Sequence, residues 1–328
     1  MNPLESIQAT IAEPLDLLNA RISEALMSSN ALMNKVVEGY LATKGKQIRP
    51  ILVLLSAKLL GGINDDVIKA GAAVEMLHNA SLIHDDVVDD TDRRRGLPTI
   101  NSVWDNHIAV LVGDFFVSTA LQQALSTGDI RIVKAMAGLG KMLSLGEIDQ
   151  IYNARFHRLT EEAYFEVISR KTASLFVACV EMGAYASGLE DDDPRLAALR
   201  GFAEALGRCF QIKDDIFDYF DDPRIGKPTG NDLREGKVTL PLLYALSRKE
   251  HPLAEAMSAL CAQEELDNDG IAALIGFAKD AGGIEYAYSV MERLRDEAVS
   301  SLTAVFPADD ESVKAFVSIF DYIIHRDY

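Results

Sequence analysis

Two acidic motifs have residue types and a spacing that suit metal binding. The segments Asp85–Asp89 and Asp214–Asp218 both have the pattern D-D-x-x-D and lie in different halves of the chain. On a helix, positions i, i+1 and i+4 lie close to one face, so the three carboxylates would repel one another unless a cation neutralised them. Oxygen ligands without histidine or cysteine select Mg²⁺ or Ca²⁺. The paired motifs therefore predict a site for a hard divalent cation.

Basic residues cluster near both acidic motifs, although the chain as a whole is acidic. They lie in Gly45–Pro50, Arg93–Gly96, Arg170–Thr172 and Gly226–Lys237, and His78 lies two helical turns before Asp85. Arginine, lysine and bound Mg²⁺ are the partners that a diphosphate requires. Any one of these groups alone is more simply a solvent-exposed cation. Together with two acidic motifs, they predict a diphosphate-binding site.

Helical periodicity supplies the elements that position these residues. Apolar residues recur at three- and four-residue spacings from Ile7 to Leu26 and over 66–90, 108–126, 131–152, 161–187, 195–220 and 238–248. Alternating strand patterns and tight hairpin turns are absent, which predicts no sheet. The Gly/Pro breaks are too short to be flexible interdomain linkers. We expect one all-α domain over residues 1–328, with each acidic motif at a helix C-terminus.

The composition excludes several classes of protein. The 328 residues include 32 Lys+Arg and 50 Asp+Glu, which gives a net charge of −18. This balance argues against nucleic acid or an anionic membrane as a general partner, because both require a basic face. Three cysteines without CxxC spacing exclude a disulfide framework and a thiolate zinc site. The apolar stretches predict no membrane span and the N-terminus no signal peptide, so we expect a cytoplasmic protein.

The order and spacing of the motifs resemble those of the trans-isoprenyl diphosphate synthases, or polyprenyl synthetases. The matching segments are HDDVVDDTDRRRG, GKQIRP, EMLHNASLIHDD, SRKTASLF, FQIKDDIFDYF and GKPTGNDLREGKVTLPLL, spread over roughly Lys44 to Leu246. Two D-D-x-x-D motifs in this context are highly specific. Details such as LVGDFF resemble the long-chain branch of the family, which includes octaprenyl diphosphate synthases. The resemblance implies a bundle of many long helices around a deep central cavity, and a homodimer.

The resemblance also implies roles for individual residues. Mg²⁺ would be bound by Asp85, Asp89 and Asp214, with Asp86, Asp215 and Asp218 supporting or completing the cluster. The diphosphate of an allylic primer would be contacted by Arg94, Lys171, Thr172, Gln211 and Lys227, with Lys237 as a further candidate. Isopentenyl diphosphate would be bound by Lys46, Arg49, His78 and Arg95. The six aspartates, Lys171 and Lys227 are expected to carry catalysis.

The implied reaction adds isopentenyl diphosphate head-to-tail to an allylic diphosphate such as farnesyl diphosphate. The allylic C–O bond ionises, the isopentenyl double bond attacks the carbocation, and a proton is lost. Several Mg²⁺ ions and basic side chains would stabilise the charge on the departing diphosphate. An apolar, closed cavity would keep the carbocation from water.

Product length is expected to depend on the helix face that carries Asp85. Ala80 and Ser81 lie about one turn deeper, roughly 6–7.5 Å at 1.5 Å per residue. In short-chain members of the family an aromatic side chain near this position closes the pocket, whereas small side chains leave it open. We therefore expect a long product such as octaprenyl diphosphate.

Three alternatives fit parts of the sequence. A class I terpene cyclase shares the first acidic motif but normally has an Asn/Ser/Glu-type second motif and lacks the isopentenyl site of Lys46, Arg49 and His78. A non-catalytic regulatory subunit usually loses one acidic motif, whereas both are intact here. A shorter-chain synthase that makes farnesyl or geranylgeranyl diphosphate remains open.

Overall fold

The computed structural model describes residues 3–42, 45–94, 96–221, 229–263 and 265–326, and most of them are α-helical. The first elements are α1 (Pro3–Thr10), α2 (Ala12–Ala25), α3 (Ala31–Leu41), α4 (Ile48–Leu59), α5 (Asp65–Val88), β1 (Arg93–Arg94), β2 (Leu97–Pro98), α6 (Ile100–Val103) and α7 (Asn106–Ser126). They are followed by α8 (Ile130–Arg155), α9 (Glu161–Ile168), a π-helix (Ser169–Ala173), α10 (Ser174–Ala186), α11 (Pro194–Phe217), α12 (Asn231–Arg234), α13 (Leu240–Ser247), α14 (Ala254–Cys261), α15 (Asn268–Asp280), α16 (Gly283–Thr303) and α17 (Glu311–His325). The predicted all-α fold class is confirmed.

The structure departs from the sequence prediction in three places. The helix predicted from Ile7 to Leu26 is divided at Ile11 into α1 and α2, because the ring of Pro14 in the first turn of α2 cannot follow a continuous helical turn. β1 and β2 form an antiparallel pair, with Arg93 opposite Pro98 and Arg94 opposite Leu97, so the prediction of no sheet was wrong at this point. Two-residue strands are too short to produce a period-two pattern in the sequence. The segment predicted as one helix over 161–187 is interrupted by the π-helix between α9 and α10.

Side-chain caps determine where the helices that lead to the site begin. Asn64, Asp105 and Thr160 precede α5, α7 and α9, and each side chain accepts a hydrogen bond from the backbone N–H three residues later, at 2.9, 2.8 and 3.2 Å respectively. Such caps satisfy backbone donors that the first helical turn leaves without a partner. The cap at Asn64 thus sets the starting point of the helix that ends in the first acidic motif.

The described residues form two compact units, each built from non-contiguous segments. The first comprises the described residues of Met1–Lys141, Leu175–Ala203 and Ser301–Ile319, and the second those of Met142–Ser174, Glu204–Ser300 and Phe320–Tyr328. The first acidic motif belongs to the first unit and the second motif to the second unit. That residues 1–328 constitute a single domain stays a prediction.

The core of the first unit is built around α4. Every residue from Pro50 to Ala57 is buried, because this stretch is apolar on all sides and suits a central helix. Helices α2 and α5 pack against it. Elsewhere in the same unit, Phe202 and Phe316 meet edge to face, with ring centroids 5.5 Å apart. The first acidic motif is therefore carried by a helix that lies in a dense apolar core.

The second unit has α13 at its centre, in contact with α9, α14 and α15. Leu240 and Leu242 of α13 are fully buried. Tyr244, at the other end of α13, stacks on Tyr286 of α16 with ring centroids 4.1 Å apart. The hydroxyl of Tyr286 in turn donates to the carboxylate of Glu161 in α9 at 2.9 Å. Aromatic packing and this hydrogen bond thus connect three helices of the unit.

Among the described residues, α7 is long and apolar enough to cross a membrane, judged by length and composition alone. Of its most apolar window, 39% is buried, and the helix packs against α5 within the first unit. The charged residue Asp114 within this stretch predicts no membrane span. That expectation stays a prediction.

We predict that Gly183→Ala destabilises the protein. A methyl group at Gly183 would lie 2.2 Å from Ser56 Oγ and 2.5 Å from the carbonyl oxygen of Val53. The backbone of α4 would have to shift, and overpacking of this kind costs about 1–3 kcal/mol. Thermal unfolding should show a lower Tm. The matched control is Gly201→Ala in α11, where a methyl group meets no atom within 4 Å and helix propensity favours alanine. Equal Tm values for the two variants would contradict the close approach of α10 to α4.

Candidate active site

The first acidic motif forms the end of α5. Asp85 and Asp86 lie in the last turn, and Asp89 is the C-cap residue, whose N–H donates to the carbonyl oxygen of Asp85 at 2.8 Å. Carboxylates at this end of a helix lie at the negative pole of the helix dipole. The predicted position of the first motif at a helix C-terminus is confirmed. Its carboxylates therefore require positively charged partners.

Asp86 is the buried member of the first motif, with 4% of its surface exposed. Nε and Nη2 of Arg94 both lie 2.8 Å from Asp86 Oδ1. Arg94 was predicted to contact the allylic diphosphate, and in this structure it neutralises an acid of the motif. The role of Arg94 towards substrate stays a prediction.

Thr99 and Asn101 hold the loop after the first motif and were not predicted from the sequence. Thr99 Oγ1 donates to the carbonyl oxygen of Thr91 at 2.7 Å. Asn101 Nδ2 donates to the carbonyl oxygens of Asp86 and Thr91 at 3.3 and 3.2 Å. These bonds fasten the segment that carries Arg94 to the end of α5. Single Thr and Asn residues give no sequence signal for such a role, since it depends on the path of the loop.

The residues predicted to bind isopentenyl diphosphate belong to α4 and α5 of the first unit. Lys46 precedes α4, Arg49 lies in its first turn, and His78 of α5 is 6% exposed. The guanidinium carbon of Arg49 lies 5.8 Å from the ring centroid of Phe176, so the ring helps to orient this cation. Arg95, the fourth predicted residue, lies outside the described residues.

A cavity of about 400 Å³ opens in the first unit beside Asp86 and Arg94. Glu75 and Asn79 of α5 contribute polar groups to its wall, and its apolar lining includes Ile22, Val36, Leu82 and Ile100. This volume and this mixture of surfaces are typical of small-molecule sites. The first acidic motif therefore adjoins a concave surface large enough for a small ligand.

The two residues predicted to control product length lie in the interior of α5. Ala80 is fully buried, and Ser81 Oγ donates to the carbonyl oxygen of His78 at 2.8 Å. On α7, the buried ring of Phe116 meets Tyr40 edge to face, with centroids 5.7 Å apart. Position 80 is thus a small residue surrounded by packed side chains. Its influence on product length stays a prediction.

Asp215 is the buried acid of the second motif, with 5% of its surface exposed. The Tyr164 hydroxyl donates to its Oδ2 at 2.6 Å, and the Gln211 amide donates to its Oδ1 at 2.8 Å. Burial, reinforced by the charge of nearby Asp232, raises the pKa of the Asp215 carboxyl to about 8. Both oxygens of Asp215 are therefore committed to donors within the second unit.

A chain of hydrogen bonds connects Asp215 to the π-helix. Thr172 Oγ1 donates to Gln211 Oε1 at 2.7 Å, and Gln211 donates in turn to Asp215. Thr172 and Gln211 were both predicted to contact the allylic diphosphate, and the structure brings them together. Tyr164 completes the chain and was not predicted, because one Tyr on an amphipathic helix is typical of core packing.

Lys171 lies on the same π-helix. Its Nζ forms an ion pair with the Glu147 carboxylate and donates to Gln150 Oε1 at 3.2 Å. Gly146 permits this approach, since a methyl group there would lie 2.6 Å from the backbone nitrogen of Lys171. Single π-helical turns are frequent at functional sites. The widened turn therefore places Lys171 and Thr172 side by side on the second unit.

Asp218 and Asp214 have different partners. Asp218 accepts hydrogen bonds from the backbone N–H groups of Asn231 and Asp232 at 2.9 and 3.1 Å, so its carboxylate caps α12. Asp214 accepts a hydrogen bond from the guanidinium of Arg326. The basic loop continues to Lys237, whose Nζ donates to Glu235 at 2.5 Å. Lys227, predicted to be catalytic, lies outside the described residues.

The acids of both motifs fit Mg²⁺ in their chemistry, because they offer carboxylate oxygens with no sulfur or nitrogen ligand. In the part of the chain that the structure describes, no group of three or more His, Cys, Asp or Glu side chains is gathered closely enough to hold an ion. Several of these acids instead accept hydrogen bonds from arginines, a hydroxyl, an amide and backbone N–H groups. The carboxylate oxygens of the two motifs thus suit Mg²⁺. The described residues contain no metal site that is already assembled.

Comparison with known proteins identifies the family. The polyprenyl synthetase family model matches residues 30–276. Octaprenyl diphosphate synthase of Escherichia coli is 32% identical over 327 residues, which cover 99% of each chain. A decaprenyl diphosphate synthase structure from Rhodobacter capsulatus has a TM-score of 0.90 at 32% identity, covering 98% of this chain and 99% of its own. A geranylgeranyl pyrophosphate synthase structure from Bacteroides thetaiotaomicron has a TM-score of 0.83 at 37% identity, covering 99% and 100%. The resemblance found in the motifs is confirmed, and this chain belongs to the polyprenyl synthetase family.

Proposed function

We propose that this protein is a trans-polyprenyl diphosphate synthase that adds isopentenyl diphosphate units head-to-tail to an allylic diphosphate primer. The observation that carries the proposal is that two intact D-D-x-x-D motifs each end a helix within a chain of the polyprenyl synthetase family. Residues that suit a diphosphate accompany each motif, Arg94 in the first unit and Lys171 with Thr172 in the second. Farnesyl diphosphate is the proposed type of primer.

Mg²⁺ is the proposed cofactor, with Asp85, Asp89 and Asp214 as its ligands. When bound, it would supply positive charge to the diphosphate of the primer as the allylic C–O bond breaks. Arg94 in the first unit and Lys171 in the second would each supply positive charge to a diphosphate. The hydroxyl of Thr172 donates to Gln211 Oε1, so it would have to rotate away from Gln211 to donate to a diphosphate. Buried apolar side chains such as Ala80 would exclude water from the carbocation.

A long product is the version of this reaction that the sequence favours. Ala80 and Ser81 are small, so they leave the predicted path of the growing chain open on the face of α5 that carries Asp85. A shorter product such as geranylgeranyl diphosphate is the main alternative, and one similar structure bears that name. A terpene cyclase or a non-catalytic subunit is disfavoured by the intact second motif and the residues of the isopentenyl site.

The first prediction concerns activity. The purified protein, incubated with Mg²⁺, farnesyl diphosphate and labelled isopentenyl diphosphate, should elongate the primer beyond four isoprene units. Asp85→Ala and Asp214→Ala should each lower turnover by about 10²-fold or more, because a charge-stabilising group worth several kcal/mol is lost. Both variants should keep the helical circular dichroism signal.

The matched control for this experiment is Asp192→Ala, which removes an exposed acid outside both motifs. It should keep wild-type turnover. No elongation by the wild-type protein would refute the synthase proposal, and near-normal turnover of either motif variant would refute the metal assignment.

The second prediction concerns product length. The series Ala80→Val, Ala80→Leu and Ala80→Phe should shorten the longest product step by step, because each larger side chain fills more of the space on this face of α5. Chromatography of the dephosphorylated products gives the chain lengths, and a thermal melt shows whether each variant is folded. An unchanged distribution across folded variants would show that the chain grows along another face.

We also propose that the protein is a homodimer that works in the cytoplasm. The resemblance to the family supports the dimer, and α7 exposes large apolar side chains, with Leu111 59% and Leu125 61% exposed. The three cysteines are free and buried, which suits a reducing compartment. Light scattering should give a mass near twice 35.9 kDa.

Leu111→Asp combined with Leu125→Asp should produce the monomer mass. Leu17→Asp, which changes a similarly exposed leucine on α2, is the matched control and should keep the dimer. A monomeric wild-type protein would contradict this part of the proposal.

A further inference from the structure

The Asp214 carboxylate, a proposed magnesium ligand, is paired with a cation from the far end of the chain, Arg326. Nη2 of Arg326, just beyond α17, donates to Asp214 Oδ1 and to the carbonyl oxygen of Phe210, the latter at 3.3 Å. The Asp214 side chain is 41% exposed, whereas that of Arg326 is 6% exposed. A buried cation therefore holds an acid that solvent and solutes can still reach.

The guanidinium of Arg326 lies in an aromatic environment. Its central carbon is 4.4 Å from the ring centroid of Phe210 and 5.4 Å from that of Phe217. Its Nε is buried and has no hydrogen-bond partner among the described residues. Cation–π contacts stabilise the guanidinium in place of water, but its principal negative partner here is Asp214. A buried charge of this kind depends strongly on its counter-ion.

The other cation next to Asp214 has a different arrangement. Lys213 is 4% exposed, and its Nζ donates to the Tyr288 hydroxyl at 2.7 Å. The same Nζ lies 5.1 Å from the ring centroid of Phe217. The Lys213 ammonium group thus lies near the Phe217 ring and the Tyr288 hydroxyl. Arg326, in contrast, donates to the Asp214 carboxylate.

We propose that Arg326 is the counter-ion that holds Asp214 when no metal is bound, and that it opposes the binding of a divalent cation to the same carboxylate. This inference rests on the proposed role of Asp214 as a magnesium ligand. Both cations need lone pairs of the same carboxylate, and two positive charges on one carboxylate repel each other. Arg326 therefore weakens metal binding and stabilises the metal-free form. It positions a metal ligand and makes no contact with substrate in this role.

The proposal predicts how metal affinity changes when Arg326 is replaced. Mn²⁺, used as the probe, is titrated into the full-length protein by calorimetry, with and without inorganic diphosphate. Arg326→Gln should lower the Mn²⁺ Kd about fivefold, which is the scale of a half-exposed ion pair. In EDTA the same variant should have a lower Tm than wild type, and Mn²⁺ should raise its Tm by more than it raises that of wild type.

Arg295→Gln is the matched control. Arg295 also pairs with aspartates of the second unit, Asp321 at 2.9 Å and Asp296 at 3.0 Å, and neither is a proposed metal ligand. Its Mn²⁺ affinity should equal that of wild type. Arg326→Lys keeps the positive charge but not the planar fork of donors, so it should give a smaller gain in affinity and provides a test if Arg326→Gln does not fold.

A double-mutant cycle separates this proposal from the proposed metal role of Asp214. On an Asp214→Asn background, Arg326→Gln should no longer tighten Mn²⁺ binding, because the shared carboxylate is gone. If Arg326→Gln and Arg326→Lys bind Mn²⁺ no more tightly than wild type, the counter-ion proposal is overturned while the synthase assignment stands. If Asp214→Asn leaves Mn²⁺ binding unchanged, the metal role of Asp214 itself fails, and this inference fails with it.

Discussion

The carboxylates at the C-terminal ends of α5 and α11, three in each unit, impose the constraint on which the surroundings of each motif depend. Mutual repulsion and the negative ends of the helix dipoles both act against them, so the chain must supply donors for them. Arg94 holds Asp86 and Arg326 holds Asp214, each through a guanidinium. Buried hydrogen-bond donors hold Asp215, and backbone N–H groups hold Asp218. The acids that define the motifs thus organise the loops and helices around them.

These partners differ in how readily a metal ion could replace them. Asp215 is buried with both oxygens committed, and Asp218 forms the cap of α12, so displacement of either would disrupt local structure. Asp89 is exposed and Asp214 is 41% exposed, so incoming cations can reach both. Residues of identical type and spacing therefore differ in this structure, some with their carboxylates fully committed to donors and others exposed to solvent. Which of these acids bind metal stays a prediction.

The same constraint accounts for much of the charge of the chain. The segments Asp85–Asp92 and Asp214–Asp222 contain five aspartates each, against a net charge of −18. These acids account for more than half of that excess. A high negative charge would repel a diphosphate at long range, but local cations and bound metal can reverse the sign at the site. The acidity of the protein is therefore better understood as part of its chemistry than as a property of its surface.

The sequence by itself determined the fold class, the family and the identity of the acidic motifs, because helical periodicity and motif spacing are local properties. It also placed both motifs at helix ends, from the breaks that follow them. Only the tertiary structure decided which partner each acid has, since Tyr164 and Arg326 lie far along the chain from Asp215 and Asp214. The close approach of Gly146 to the π-helix at Lys171 is likewise a contact between separate segments of the chain. Spacing specifies which side chains share a helix face, whereas packing between distant segments specifies what each one touches.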